Sequence, residues 1–190
     1  KTDKVDTFLI IKSMIVNKHR LYTKMDIDSL RLKGLCRFRE KVKKSKTRLK
    51  IQLVSCLDVL FPEFQYFFKS GPHIDTSYEL LKKHSAPDEI AALHLTYLSN
   101  LLHKASHGHF GKEEAIALKS LAKSSVGTGN TSLSIQIAQI IDQTELLEKQ
   151  IEELDKKNEY LISQDWDSAW AKFYLALSLS NDPAKAAEVK

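Results

Sequence analysis

The sequence predicts an all-α chain, and three observations support this. Apolar residues recur every three or four positions along most of the chain, which is the period of an α-helix. No stretch shows a convincing period of two, the pattern typical of β-strands. Residues 28–60 and 133–163 contain no proline and only one glycine, Gly34. We therefore expect a long basic helix, a small helical bundle and a coiled coil.

The composition places most of the positive charge in one segment. A length of 190 residues allows one domain or two small ones. The net charge is +5, yet residues 31–50 alone carry +9, which leaves −4 for the remainder.

No apolar run is long enough to cross a membrane, and no signal peptide is recognised. Cys36 and Cys56 lack metal-site spacing and suit a reducing, cytoplasmic setting.

The first segment, residues 1–27, begins with a helix that carries Asp3 and Asp6. Residues three apart share one helical face, so two carboxylates there can hold a divalent cation through oxygen ligands. The same two residues also suit a helix start, with Asp3 as N-cap and Asp6 as an acid near the positive end of the dipole. Spacing alone favours this capping role.

The second segment, residues 28–124, begins with the basic helix. Asp28 or Ser29 can cap its start, and Pro62 follows its end. An apolar stripe at helical spacing predicts its buried face: Leu35, Phe38, Val42, Ser45, Leu49, Leu53, Cys56 and Leu60. Local positive charge is typical of phosphate binding, although a merely solvated face is the alternative. The candidate nucleic-acid-binding residues on this helix are Arg31, Arg37, Lys41, Lys44 and Arg48.

Short helices follow up to residue 124 and predict the small bundle. The aromatic residues from Phe61 to Phe68 are too dense to face solvent, so we expect them to pack the end of the basic helix. His103 and His107 share a helical face, but no cysteine or acid completes a metal site. We interpret His107 and His109 as weak phosphate contacts or plain surface residues.

Residues 125–132 form a glycine-containing linker, which we interpret as a hinge, and residues 133–163 form a heptad pattern. The pattern predicts a helix that pairs with a second helix, either from another copy of the chain or as a hairpin with the basic helix. Asn158 falls at an a position, where a buried Asn can fix the register of a parallel pair. The predicted dimerisation residues are Ile137, Ile140, Leu147, Ile151, Leu154, Asn158 and Leu161. The last segment, residues 164–190, reads as an amphipathic helix and a polar tail of unrecognised role.

Three sequence blocks resemble the IS110-type insertion-sequence transposases, a DEDD, RuvC-like family. Residues 1–6 match the signature K-T-D-x-x-D-A, with Thr7 where the family usually has alanine. Residues 30–63 resemble the family block L-x-x-L-x-R-x-R…T-R-L-K-x-x-L…F-P-E. Residues 101–111 resemble its segment L-L-x-x-A-S-x-G-x-F-G. The blocks keep the family's order over residues 1–162.

The resemblance implies a transposase that cuts and rejoins DNA strands with Mg²⁺ held by four acids. Asp3 and Asp6 match the last two of these acids and would be catalytic metal ligands. The first Asp and the Glu lie upstream in the family, and no C-terminal domain with a serine nucleophile is found here. We therefore expect a fragment that is inactive alone, with a first helix derived from a RuvC/RNase H-like domain.

The resemblance also implies the partners. DNA is the first, and a structured guide RNA is the second candidate, because some family members are guided by RNA from their own element. The family joins protomers through a coiled coil, which favours self-association over the hairpin. The expected location is the bacterial cytoplasm, in association with the nucleoid. The alternative functions are a non-catalytic nucleic-acid-binding dimerisation module and a purely structural helical scaffold.

Overall fold

The computed structural model describes residues 2–16 and 24–163, and every regular element in these ranges is helical. The prediction of an all-α chain is therefore confirmed. The unrecognised segment at residues 164–190 lies outside the described residues, as does the connection at residues 17–23. The α-helices are α1 (Thr2–Val16), α2 (Lys24–Leu60), α3 (Asp75–Lys83), α4 (Pro87–Ala92), α5 (Leu95–Ala105), α6 (Lys112–Lys123) and α7 (Thr131–Ser163), and a 3₁₀ helix at Pro62–Tyr66 follows α2.

The chain forms two compact units, and α2 and α7 each contribute to both. The first unit comprises Lys1–Arg37 and Asn158–Lys190. Within it, every side chain described in α1 is exposed, including the apolar Phe8 and Ile15. Asn158 is 5% exposed, and both polar atoms of its amide lack a hydrogen-bond partner. The predicted burial of this Asn is thus observed.

The second unit, Phe38–Lys157, is built around a continuous apolar core. The C-terminal part of α2 packs there with the bundle helices and with Ile137 and Ile141 of α7. Phe61, Phe64 and Phe68 are buried in this core as expected, whereas Tyr66 is 87% exposed. The three buried phenylalanines therefore close the end of α2, whereas Phe67 is half-buried and Tyr66 extends into solvent.

In the second unit, α7 runs antiparallel to α2. Arg39 pairs with Asp155 and Lys46 with Glu148, so the residue numbers fall on one helix as they rise on the other. All nine heptad positions from Leu133 to Leu161 are buried or half-buried. In the second unit, α2 of the same chain thus covers the heptad face of α7, which we call the seam. This arrangement is the intramolecular hairpin, the alternative to pairing with a second copy. Self-association through α7 stays a prediction.

The buried face of α2 differs from the predicted stripe at two positions. Phe38 is 54% exposed, and Ser45 is also exposed. Three cations, Arg39, Lys46 and Lys50, are half-buried instead. They lie on the side of α2 that packs against α7. The apolar pattern missed these cations because long basic side chains can pack their hydrocarbon stems at an interface while their charged ends find partners.

The connection between α6 and α7 is held against the end of α2. The Glu63 carboxylate accepts hydrogen bonds from the Ser125 hydroxyl at 2.6 Å and from the Val126 N–H at 2.9 Å. The Thr128 N–H donates to the Val59 carbonyl at 3.2 Å. The hinge role of residues 125–132 stays a prediction, and the structure adds that residues 125–128 contact the end of α2. Glycine content reports backbone freedom and says nothing of such distant partners.

Candidate nucleic-acid interface

Three cations of α2 in the second unit form an exposed row, which we call the outer basic face: Lys41, Lys44 and Arg48. Their spacing of three and four residues places them on one side of the helix. Among the described residues, none of the three has an ion-pair partner. The seven residue steps from Lys41 to Arg48 span roughly 10 Å along the helix axis. Their charges are thus available to an external anion.

No acid interrupts this part of α2. Glu40 precedes the row, and Asp58 is the next acid along the helix. Glu40 Oε1 lies 3.4 Å from Arg39 Nη1, and Asp58 accepts a hydrogen bond from Gln65 at 2.6 Å. Exposed Ser45 and Gln52 add neutral hydrogen-bonding groups to the same surface. This composition favours a polyanion, because cations and neutral donors both bind phosphate oxygens.

Two other cations of α2, Arg39 and Lys46, pair with acids of α7. Arg39 forms a two-point contact with the Asp155 carboxylate, in which its Nη2 donates at 3.1 Å. Lys46 Nζ lies 2.6 Å from Glu148 Oε1. Burial, together with the charge of Lys46, lowers the pKa of Lys50, although Glu148 acts in the opposite direction. The basic helix therefore divides its charge between an internal seam and an outer face.

The remaining predicted contacts lie outside the part of α2 that belongs to the second unit. Arg31 and Arg37 are exposed residues of α2 in the first unit. His107 and His109 are exposed in the turn between α5 and α6, in the second unit. His107 has a φ of 52°, and the Gly108 N–H donates to the His103 carbonyl at 2.8 Å, which ends α5 in a left-handed turn. The histidines thus belong to a different element from the outer basic face.

Asp3 and Asp6 lie one turn apart on α1, and both are exposed. The described side chains contain no group of three or more His, Cys, Asp or Glu residues placed to hold a metal ion. The two carboxylates offer the oxygen ligands that Mg²⁺ prefers, but two ligands do not complete a site. The structure therefore provides a candidate half-site and no basis for a metal-dependent step within the described residues.

Sequence reasoning missed the groove between α3 and α5. Tyr97, Asn100 and Lys104 line one of its sides. Their spacing of three and four residues is visible in the sequence and predicts a shared helical face. Without knowing that α3 packs beside α5, however, nothing distinguishes this face from ordinary solvated surface.

None of the described helices combines the length and apolar content that a membrane crossing needs.

The described residues thus form an all-helical protein with an exposed, acid-free row of three cations on α2. Residues 1–62 match the family model DEDD_Tnp_IS110, described as a transposase. This match supports an IS110-type transposase fragment, and it includes Asp3, Asp6 and all of α2. No curated protein and no solved structure matches the chain.

Proposed function

We propose that this chain is a nucleic-acid-binding part of an insertion-sequence transposase. The observation that carries the proposal is the outer basic face, Lys41, Lys44 and Arg48, on a helix that lies within the matched transposase segment. The three cations are exposed, share one side of α2 and form no ion pair with a described acid. The expected ligand is the phosphate backbone of DNA, with a structured RNA as the second candidate.

The physical basis of binding is charge neutralisation at phosphates. Each cation that contacts a phosphate releases a condensed counterion, so affinity falls steeply with salt. Such contacts position a nucleic acid without reading its sequence, which is why DNA and RNA both suit this face. Arg31 and Arg37 would add contacts from the first unit, and His107 and His109 would add weaker ones.

In the intact transposase, we propose that Asp3 and Asp6 supply two of the oxygen ligands of Mg²⁺. When bound, this ion would stabilise charge on the oxygens of the phosphodiester during strand cutting and rejoining. The contribution of this chain is to present two exposed carboxylates one helical turn apart. Because two acids are too few for a complete site, we expect no cleavage of DNA by this chain alone.

Self-association and a cytoplasmic, nucleoid-associated location belong to the same proposal. Because α2 of the same chain covers the α7 seam in the second unit, two copies would pair by exchanging α7 or by joining two hairpins. A non-catalytic binding module would keep the outer basic face without the metal role of Asp3 and Asp6. A purely structural scaffold would bind no nucleic acid at moderate salt.

The test is binding of the chain to a DNA duplex and to an RNA hairpin over a series of salt concentrations. The variant changes Lys41, Lys44 and Arg48 to Gln. A matched control changes three exposed lysines outside this face, Lys112, Lys123 and Lys149, to Gln. We expect the variant to weaken duplex binding and to reduce the slope of log affinity against log salt by about 3, or about 0.9 for each lost phosphate contact. Equal slopes for the variant and the control would overturn the proposal.

A further inference from the structure

A groove of about 570 Å³ lies in the second unit between α3 and α5. Tyr97, Asn100 and Lys104 of α5 line one side of it, and Asp75, Glu79 and Lys83 of α3 line the other. His107, in the turn after α5, also lines the groove. An aromatic ring, an amide, carboxylates and cations thus share one open space.

Tyr97 supplies an aromatic platform at this groove. It is 48% exposed, which leaves much of its ring available to a ligand. The ring of His84 packs against it at nearly a right angle, with 5.9 Å between ring centroids and 82° between planes. This contact supports the tyrosine from one side. Flat apolar ligands with a π-face stack on such rings.

Asn100 adds a hydrogen-bonding group one turn beyond Tyr97. It is exposed, and its side chain makes no hydrogen bond to another described residue. An amide offers two donors and an acceptor oxygen, so it can pair with both a donor and an acceptor on the edge of a nucleobase. The adjacent ring and amide therefore suit a planar ligand with a polar edge.

The carboxylates on the other side narrow the choice of ligand. Asp75 and Glu79 would repel a phosphate placed beside them in the groove, and of these two described acids only Glu79 forms an ion pair, with Lys83 at 3.6 Å. Carboxylates accept hydrogen bonds from exocyclic amino groups, as they do from cytosine N4. Lys104 and His107 provide positive charge at the same groove for a phosphate attached to the ligand.

We propose that this groove binds one unstacked nucleobase that carries an exocyclic amino group, within a single-stranded nucleic acid. Tyr97 stacks on the base, Asn100 and Glu79 hydrogen-bond its polar edge, and Lys104 contacts the adjoining phosphate. The inference rests on the proposed nucleic-acid function and deepens it, because the outer basic face reads only phosphates. It predicts a preference for bases that carry an exocyclic amino group, which contacts to phosphates alone cannot produce.

The experiment compares binding of fluorescently labelled oligo(dC) and oligo(dT) to the full chain at one salt concentration and slightly alkaline pH. Both strands carry pyrimidine bases on equally charged backbones, and cytosine has the exocyclic amino group in place of the thymine O4. We expect oligo(dC) to bind more tightly. Tyr97→Ala should weaken its binding about 5- to 150-fold, the range found when a stacking aromatic is truncated. Tyr97→Phe should keep the affinity, and Asn100→Ala should reduce the preference for oligo(dC).

Tyr66→Ala is the matched control, because Tyr66 is 87% exposed and does not line the groove. Circular dichroism of each variant checks that the helices persist. Equal binding of the two strands, or no effect of Tyr97→Ala on oligo(dC), would overturn the groove proposal. If duplex binding then still depends on Lys41, Lys44 and Arg48, the proposed function stands alone. If the duplex fails to bind while oligo(dC) is preferred, the outer basic face fails and the groove stands.

Discussion

Lys46 on α2 and Glu148 on α7 form an ion pair at 2.6 Å, while Lys44, two positions earlier on α2, is exposed and has no ion-pair partner among the described residues. Two residues along a helix turn a side chain by about 200°, so neighbouring lysines serve opposite surfaces. This relationship separates the cations that stabilise the hairpin from those available to a ligand, and the two groups should respond differently to substitution.

Removing the charge of Glu148 should destabilise the hairpin. Both partners of its ion pair with Lys46 are partly shielded, with side-chain exposures of 24% and 35%. Glu148→Gln should lower the free energy of unfolding by about 0.5–1 kcal/mol, measured by urea denaturation. Lys44→Gln should change stability by less than about 0.5 kcal/mol yet weaken nucleic-acid binding. Equal stability losses in the two variants would contradict the division of charge.

Gly127→Ala should destabilise the second unit strongly. A Cβ at this position would lie 2.0 Å from the Leu60 carbonyl oxygen and 3.2 Å from the Phe61 backbone nitrogen. These atoms belong to the backbone and cannot rotate away. We expect a loss of about 2–4 kcal/mol in urea denaturation, in the range of severe steric substitutions.

Gly34→Ala provides the control for that loss. Gly34 lies inside α2, and a Cβ there would meet no atom within 4 Å. Alanine in a helix interior is about 0.5–1 kcal/mol more favourable than glycine, so this variant should gain stability. A similar gain for Gly127→Ala would show that the loop does not dock against the end of α2.

Glu63 should make the stability of the second unit sensitive to acid. Burial tends to raise its pKa, but the hydrogen bonds from Ser125 and Val126 outweigh this effect and hold the pKa below its usual 4.5. A carboxyl whose pKa is lowered on folding contributes stability above the unfolded value, and this contribution is lost as pH falls through the folded value. Glu63→Gln should therefore flatten the fall in stability below about pH 4.5. Urea midpoints over an acid series measure this, and an unchanged slope would refute the anchoring role.

The sequence was sufficient to predict the helices and the buried face of α7, but not the whole buried face of α2. The heptad positions of α7 are mostly apolar, so periodicity alone located its buried face. The same reasoning placed Phe38 and Ser45 on the buried face of α2, where Arg39 and Lys46 lie instead. Ion pairs between elements distant in sequence leave no periodic signal, and a seam pattern does not say which chain covers it. The anchoring of residues 125–128 by Glu63 was missed for the same reason.

The proposed function leads to a prediction about the acid pair on α1, tested in an intact transposase that contains this segment. Asp3→Ala combined with Asp6→Ala should abolish strand transfer while nucleic-acid binding is kept, because the outer basic face lies on a different helix. Strand-transfer and binding assays on the same preparation measure both properties. Retained transfer would rule out a catalytic role for the two acids. Robust Mg²⁺-dependent cleavage by this chain alone would show that other residues complete a site.

Asn158→Leu should stabilise the helical pairing and loosen its oligomeric state. Both amide atoms of Asn158 are buried without a hydrogen-bond partner, and an unsatisfied buried polar group costs about 1–3 kcal/mol. Leucine removes this cost, and it also removes the polar group that restricts which partners and registers an a position accepts. Urea denaturation measures the gain, and sedimentation velocity measures the oligomeric state. A more stable variant that sediments as a monomer, like the parent chain, would favour the hairpin as the complete partner of α7. A shift to mixed oligomers would support self-association through this seam.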